Sequence, residues 1–393
     1  MNEYGSQAGA AGDASQAGER RAQYRGSGLP GRTGSDDSRM KLDLFMEFPS
    51  APGGATEPGQ SMEDGLAVAR AADAAGMDAV WLAEHHFLGD YCNLAAPDMV
   101  LAAVARETTR IGLGFGIVPL PIHDPVRVAE RLATLDLLSN GRVLWGVGRG
   151  VTVTELAGFG VDPGDTRIVF REKFDMLSGL LREGAFERDG ERYELRPRPT
   201  RRLGRGWLAS VSPESFDLAA ELGLSAMTGP FKPWPMIRAD LARYRKLAPA
   251  GETSFTLAVY CGPDHRAARR KAEAGLLWVY RKIFEVSRPL LTRQVAGYEH
   301  YRRLGWLLPV LERTLSIGVL EKLGLAAVGD PAHVRRILTG LQESGLDRLS
   351  LVVGGGVMSR RDSVDCIELL AREVFPALCA DRAPARPTAA VTS

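Results

Sequence analysis

From Met40 to about Leu378, short apolar runs of strand length alternate with segments whose apolar residues recur at helical spacing, and the alternation repeats eight times. The strand-like runs lie at 41–48, 79–84, 111–118, 142–147, 206–210, 224–228, 254–261 and 348–353. Each is followed by enough helical material to cross back over a sheet, so the strands should be parallel. A doubly wound open sheet would want a GxGxxG turn after its first strand. Here that strand ends in Glu47-Phe48-Pro49, so the expectation is an α/β fold of the (β/α)8 TIM-barrel type. The stretch from Asp264 to Gly324 is helical and longer than one repeat needs, and reads as an enlarged helical insertion late in the chain. Between the fourth and fifth strands, Asp189-Gly190 marks a hairpin turn. Ser61 is expected to cap the first helix.

The barrel domain is expected to span 40–380. Residues 1–39 and 381–393 contain too few large apolar side chains to offset their ordering entropy and read as disordered tails. Hydrophobic residues at 45% and charged residues at 25% are the profile of a globular protein in water. A net charge of +1 gives no overall attraction to nucleic acid or membrane. No apolar run approaches the roughly 18 residues of a spanning helix, and the N-terminus lacks a secretory apolar region. Cys92, Cys261, Cys366 and Cys379 form no CxxC pair, which favours a reducing compartment; the expected location is cytoplasmic.

In a barrel of this kind the chemistry sits at the C-terminal ends of the strands. The second strand ends in Glu84-His85-His86-Phe87, where His85 can serve as a general acid or base. Adjacent strand residues face opposite ways, and the remaining histidines form no HxH or HExxH, so no metal site is expected and His86 reads as packing. Gly148-Arg149-Gly150 after the fourth strand offers close backbone approach and an arginine fork for an anion, with Arg167 in the next helix as a second cation. Ser212-Pro213-Glu214-Ser215 reads as a helix N-cap able to bind an anion, and Gly354 to Gly356 after the last strand competes for the same role. Spacing alone does not choose between them. The arginines from Arg192 to Arg205 lack interleaved aromatic residues and read as a solvated loop.

Several of these segments are familiar together. Ala79 to Phe87 (AVWLAEHHF) resembles the second-strand motif of the bacterial luciferase-like flavin monooxygenases. Pro125-Val126-Arg127, Leu135 to Arg142, Gly146 to Gly150, Phe159-Gly160, Arg167 and Val328 to Pro331 follow in that family's order. The resemblance implies a barrel that binds reduced FMN, delivered by a separate NAD(P)H-dependent flavin reductase, and uses O2 to oxygenate a small organic molecule. It further implies that His85 is the catalytic histidine, with Glu84 beside the flavin. Gly116-Ile117 matches a non-prolyl cis peptide against the flavin ring. Gly148, Arg149, Gly150, Arg167, Ser212 and Ser215 match positions at the cofactor, four of them phosphate contacts, which favours the fourth- and fifth-strand loops over Gly354 to Gly356. Gly148 stands where luciferase has a reactive cysteine and Val211 where it has a glutamate, so a metabolic oxygenation is expected rather than light emission. Phe231 to Met236 and the helices after Asp264 are expected to face the substrate, and a homodimer is expected by analogy. The alternatives are an F420-dependent hydride-transfer enzyme on the same barrel, a non-catalytic flavin-binding protein and, last, a metal-dependent hydrolase.

Overall fold

The computed structural model describes residues 39–49, 58–89, 91–150, 152–199, 202–305, 309 and 313–379. Apart from Arg39, the expected tails lie outside the described residues, as does most of the Pro/Gly-rich segment after the first strand. The strands are β1 (Lys41–Met46), β2 (Ala79–Leu82), β3 (Gly112–Pro119), β4 (Val143–Gly148), β5 (Ala185–Arg188), β6 (Glu191–Glu194), β7 (Trp207–Ala209), β8 (Ser225–Thr228), β9 (Thr253–Cys261), β10 (Ala326–Gly329) and β11 (Arg348–Val352).

Eight of them close a parallel ring in the order β1, β2, β3, β4, β7, β8, β9, β11 and back to β1. These are the eight strands expected from the sequence. β10 is an addition: it pairs with the outer end of β9, Ala326 to Gly329 against Ala258 to Cys261, beyond most of the β11 pairing. All nine residues of β9 and all four of β2 are buried, because helices cover the ring outside and side chains fill it inside.

A charged pair lies in the inner core. Asp43 is fully buried and accepts two hydrogen bonds from the Arg348 guanidinium, both of 2.7 Å, and a third from Trp81 Nε1 at 2.9 Å. Trp207 stands edge-on to Trp81 and lies under the guanidinium. Strand alternation places Asp43, Phe45 and Glu47 on one face of β1, from the barrel floor to its mouth.

The β5–β6 hairpin forms as expected, with Asp189 and Gly190 both at positive φ (53° and 80°), the signature of a type I′ turn. The first helix differs from expectation. It begins at Pro58, a turn before Ser61, and the Ser61 hydroxyl donates instead to the Phe48 carbonyl at 3.4 Å. Proline is well suited to a first helical turn because its missing N–H would have no helical acceptor. The late insertion breaks into helices at His265–Thr292, Glu299–Leu304 and Ile317–Lys322. No described helix is long and apolar enough to cross a membrane. Cys92, Cys261 and Cys366 are buried free thiols.

Candidate active site

A cavity opens at the C-terminal ends of the ring strands. Its wall takes Phe45 and Glu47 from the end of β1, His85 from β2, Ile117 from β3, the Gly148 to Gly150 loop from β4 and Val279, Tyr280 and Ile283 from the long helix. Of the residues matched to the histidine and cofactor positions, all but Arg167 line it, whereas of Phe231 to Met236 only Phe231 does. Arg167 lines an adjoining recess together with Arg149, Ser212, Glu214 and Gly297.

At one end sits the histidine cluster. His85 Nδ1 lies 3.0 Å from Glu155 Oε1, which also accepts the backbone N–H of His86 at 2.7 Å. The other Glu155 oxygen accepts from the Thr152 hydroxyl. Burial alone would depress the His85 pKa. The hydrogen bond and charge of Glu155, backed by Glu47 and Glu84, outweigh it and hold His85 above the ordinary histidine value.

Glu84 faces a different pair. Its Oε1 is 3.0 Å from His86 Nε2 and in contact with His123 Nε2. Burial would raise this carboxyl, but the hydrogen bonds from His123 and His86 win and hold it below the usual range. A carboxylate is acceptor-only, so both rings must present N–H to it. Glu84, His86 and His123 have the ligand types and proximity of a possible metal set. Local spacing gave no sign of this set, because His123 lies 39 residues from Glu84 and arrives from the loop after β3. The direct contacts describe a self-satisfied hydrogen-bonded cluster. Glu84 therefore reaches His85 only through its charge, and Glu155 is the direct partner.

At the other end, cations converge. Arg149 Nη1 donates to the Gly297 carbonyl at 3.1 Å, and Arg167 Nη2 to the same oxygen at 3.4 Å. The Arg149 guanidinium lies 4.7 Å from the Tyr298 ring centre, and the Tyr298 hydroxyl donates to Gly150 O at 2.8 Å. Burial, with the neighbouring Arg167 charge adding to it, lowers the Arg149 pKa, so an anion placed here would be welcome to both. Ser212 is an N-cap as expected: its hydroxyl accepts from Ser215 N at 3.3 Å. Ser215 Oγ donates to Ser212 O at 2.6 Å and accepts from Val211 N at 3.0 Å. Gly150 has φ of +79°, where a side chain would be strained.

Between the two ends lies the Gly116-Ile117 peptide, which is cis. The Ile117 side chain crosses β4 where Gly146 and Gly148 leave room: a Cβ at either would fall 2.8 Å from an Ile117 carbon. Gly354, Gly355 and Gly356 line a second cavity with Ser359 and Arg360, which shares only Phe45, Glu47, Val279 and Val352 with the first. Its lining does not include Arg149 or Ser212, so the two anion candidates occupy different places.

Sequence reasoning missed Glu155, His123, Glu47, Tyr91 and Tyr298. Thr152 and Glu155 stand at capping-box spacing, a signal that reads as a helix start; the two side chains do bond to each other, but the carboxylate turns to His85. Nothing local marks the others.

The luciferase-like monooxygenase profile matches residues 40–348, most of the chain and nearly all of the ring. The chain belongs to that family. Limonene 1,2-monooxygenase of Rhodococcus erythropolis is 28% identical over 328 residues, covering 79% of this chain and 80% of that protein. A second relative, 4-hydroxyprotoasukamycin monooxygenase of Streptomyces nodosus subsp. asukaensis, is 34% identical over 187 residues, 46% of this chain and half of that protein's length. The solved structure of monooxygenase RslO1 from Streptomyces bottropensis shares the fold with a TM-score of 0.71 and 26% identity, over 86% of this chain and 99% of that one. The barrel and the family expected from the sequence both stand, and the chain is a monooxygenase.

Proposed function

We propose that this monooxygenase binds reduced FMN, supplied by a separate NAD(P)H-dependent flavin reductase, and oxygenates a small organic substrate with O2. The observation that carries the reading is the convergence of Arg149 and Arg167 on one carbonyl beside the Ser212 cap, at one end of an apolar cavity whose other end is His85. Two cations and a helix N-terminus suit a phosphate. Arg149, Arg167, Ser212 and Ser215 would hold that phosphate, with Gly148 and Gly150 giving close backbone approach. Gly116 and Ile117 would lie against the flavin ring. The bound reduced flavin supplies the electrons that activate O2.

The chain's own residues do the rest. His85 holds or releases a proton at Nε2, its Nδ1 being fixed by Glu155. Glu84 adds negative charge behind it. The apolar wall excludes water from the reacting centre. The oxygenase component of flavin-dependent trigonelline monooxygenase from Acinetobacter baylyi, 27% identical over 199 residues, supports a separate reductase. A homodimer in the cytoplasm completes the proposal.

The test is an anaerobic titration of the full chain with photoreduced FMN, followed by admission of oxygen. Binding of reduced FMN, O2 uptake coupled to substrate oxygenation and a weakening of both in Arg149→Ala support the reading. Tight F420 binding with hydride transfer and no need for O2 moves the chain to the deazaflavin alternative. FMN binding with no turnover, unaffected by His85→Ala, leaves a flavin-binding protein.

A further inference from the structure

We propose that Lys232 is a positioning residue that makes this monooxygenase selective for a phosphorylated cofactor: it holds the Val211 carbonyl and so turns the Ser212 N–H toward the recess of Arg149 and Arg167. The proposal deepens the phosphate reading given above and rests on it.

The Lys232 side chain is only 2% exposed, and a lysine is rarely so buried unless it is paired. Lys232 has two partners. Its Nζ donates to the Val211 carbonyl at 2.5 Å and to Asp240 Oδ2, and it lies 5.7 Å from the centre of the Phe216 ring. Asp240, on the helix Trp234–Leu247 that follows Lys232, accounts for the charge. It does not account for the bond to Val211. That bond crosses from the segment after β8 to the turn between β7 and the helix Pro213–Glu221.

The turn is held from both sides. The Val211 N–H donates to Ser215 Oγ at 3.0 Å, and the Val211 carbonyl accepts from Lys232. The peptide between Val211 and Ser212 is trans, so its C=O and N–H point in opposite directions. Lys232 lines neither the cavity nor the recess, whereas Ser212 lines both. With the carbonyl fixed on Lys232, the Ser212 N–H is directed to the ligand side.

Few other N–H groups at this helix end are left for a ligand. Pro213 has none. The Ser215 N–H is taken by Ser212, through Oγ at 3.3 Å and the carbonyl at 3.0 Å. The Glu214 N–H faces its own carboxylate. The Ser212 N–H has no acceptor among the described residues. A phosphate oxygen supplies one, shared with the two arginines. Glu214 is acidic and works against an anion here, so the helix end alone is not enough; a fixed Ser212 N–H is what it adds to the arginines.

The test compares reduced FMN with reduced riboflavin, which differ only in the phosphate, by anaerobic titration of the full chain. Equilibrium dialysis measures inorganic phosphate. Lys232→Met keeps the chain length and removes the donor. It should weaken FMN and inorganic phosphate about tenfold, the size of one hydrogen bond to a charged group, and leave riboflavin unchanged. A lysine that serves folding alone would weaken both flavins alike. Asp240→Asn keeps the lysine and should keep the preference for FMN. Lys232→Met combined with Asp240→Leu leaves no orphaned carboxylate and serves if the single variant does not fold.

An FMN-to-riboflavin ratio unchanged in the variant lacking Lys232 overturns the proposal, as does equal weakening of both flavins. A loss of preference in Asp240→Asn as large as in Lys232→Met overturns the role of the Val211 bond and gives it to the ion pair. A wild-type chain that binds riboflavin as tightly as FMN sinks the phosphate reading and this proposal with it. A wild-type chain that binds neither flavin but does bind phosphate, about tenfold more tightly than Lys232→Met, sinks the flavin reading alone and leaves the Lys232 assignment standing. Binding of neither flavin nor phosphate overturns both.

Discussion

At the residue scale, the histidine end of the cavity is organised by which carboxylate serves which histidine. His85 has a pKa held above its ordinary value by Glu155 against the effect of burial. The folded state therefore binds this proton more tightly than the unfolded chain does. The stabilisation is complete below the ordinary histidine value and is lost as pH rises through the raised one. Glu155→Gln removes the largest raising influence and leaves the burial, so the His85 titration should move down. NMR titration of the ring checks this, and an unchanged midpoint would assign the shift to another group. Arg149 makes a different prediction. A charge-assisted contact contributes about 1.5–3 kcal/mol, so Arg149→Ala should weaken reduced-FMN binding by roughly ten- to a hundredfold, and Arg149→Lys should recover only part because it lacks the planar fork. Fluorescence or absorbance titration measures both variants.

At the element scale, β3 and β4 are matched to each other. Ile117 on β3 needs two glycines on β4, but they are not equivalent. A Cβ on Gly146 would lie 2.8 Å from both an Ile117 carbon and the Phe115 carbonyl, whereas one on Gly148 meets chiefly the far end of the Ile117 side chain. A backbone carbonyl yields less readily than a rotating methyl. Gly146→Ala should therefore destabilise by about 1–3 kcal/mol, the usual range for overpacking, and Gly148→Ala by clearly less. Urea denaturation of the two variants side by side gives the comparison, and equal losses would mean that the carbonyl contact does not matter. The turns were easier to read. Asp189-Gly190 and Asn140-Gly141 have positive φ at both residues, a demand that few residue types meet and that is therefore written locally. The start of the first helix was not, because Pro58 and Ser61 each make an acceptable helix beginning and only the packing of Ser61 against Phe48 separates them.

At the scale of the whole molecule, the ring is tied across its floor by Asp43 and Arg348, residues from the first and last strands. Arg348 is only 4% exposed and cannot turn to water. Asp43→Leu should cost about 3–5 kcal/mol by leaving a buried cation without its partner, while Asp43→Leu combined with Arg348→Met should recover most of the loss. Thermal and chemical denaturation would show it, and a single variant as stable as the double one would mean that Arg348 finds another anion. Glu252, whose nearest oxygen is 3.7 Å away, is the candidate for that.

The eight strands, the barrel, the hairpin and the stations at His85, Arg149 and Ser212 were legible in the sequence alone, because each depends on local periodicity or on a motif whose members are near neighbours in the chain. The partners were not. Glu155 lies 70 residues from His85, and Gly297 148 from Arg149. Tyr91 lies 44 residues from Glu47. Closing the ring brings such pairs within hydrogen-bond reach, and no local rule records the distance. Sequence determined which side chains stand at the strand ends; tertiary structure decided which of them share a proton, since desolvation and pairing exist only once the cavity does.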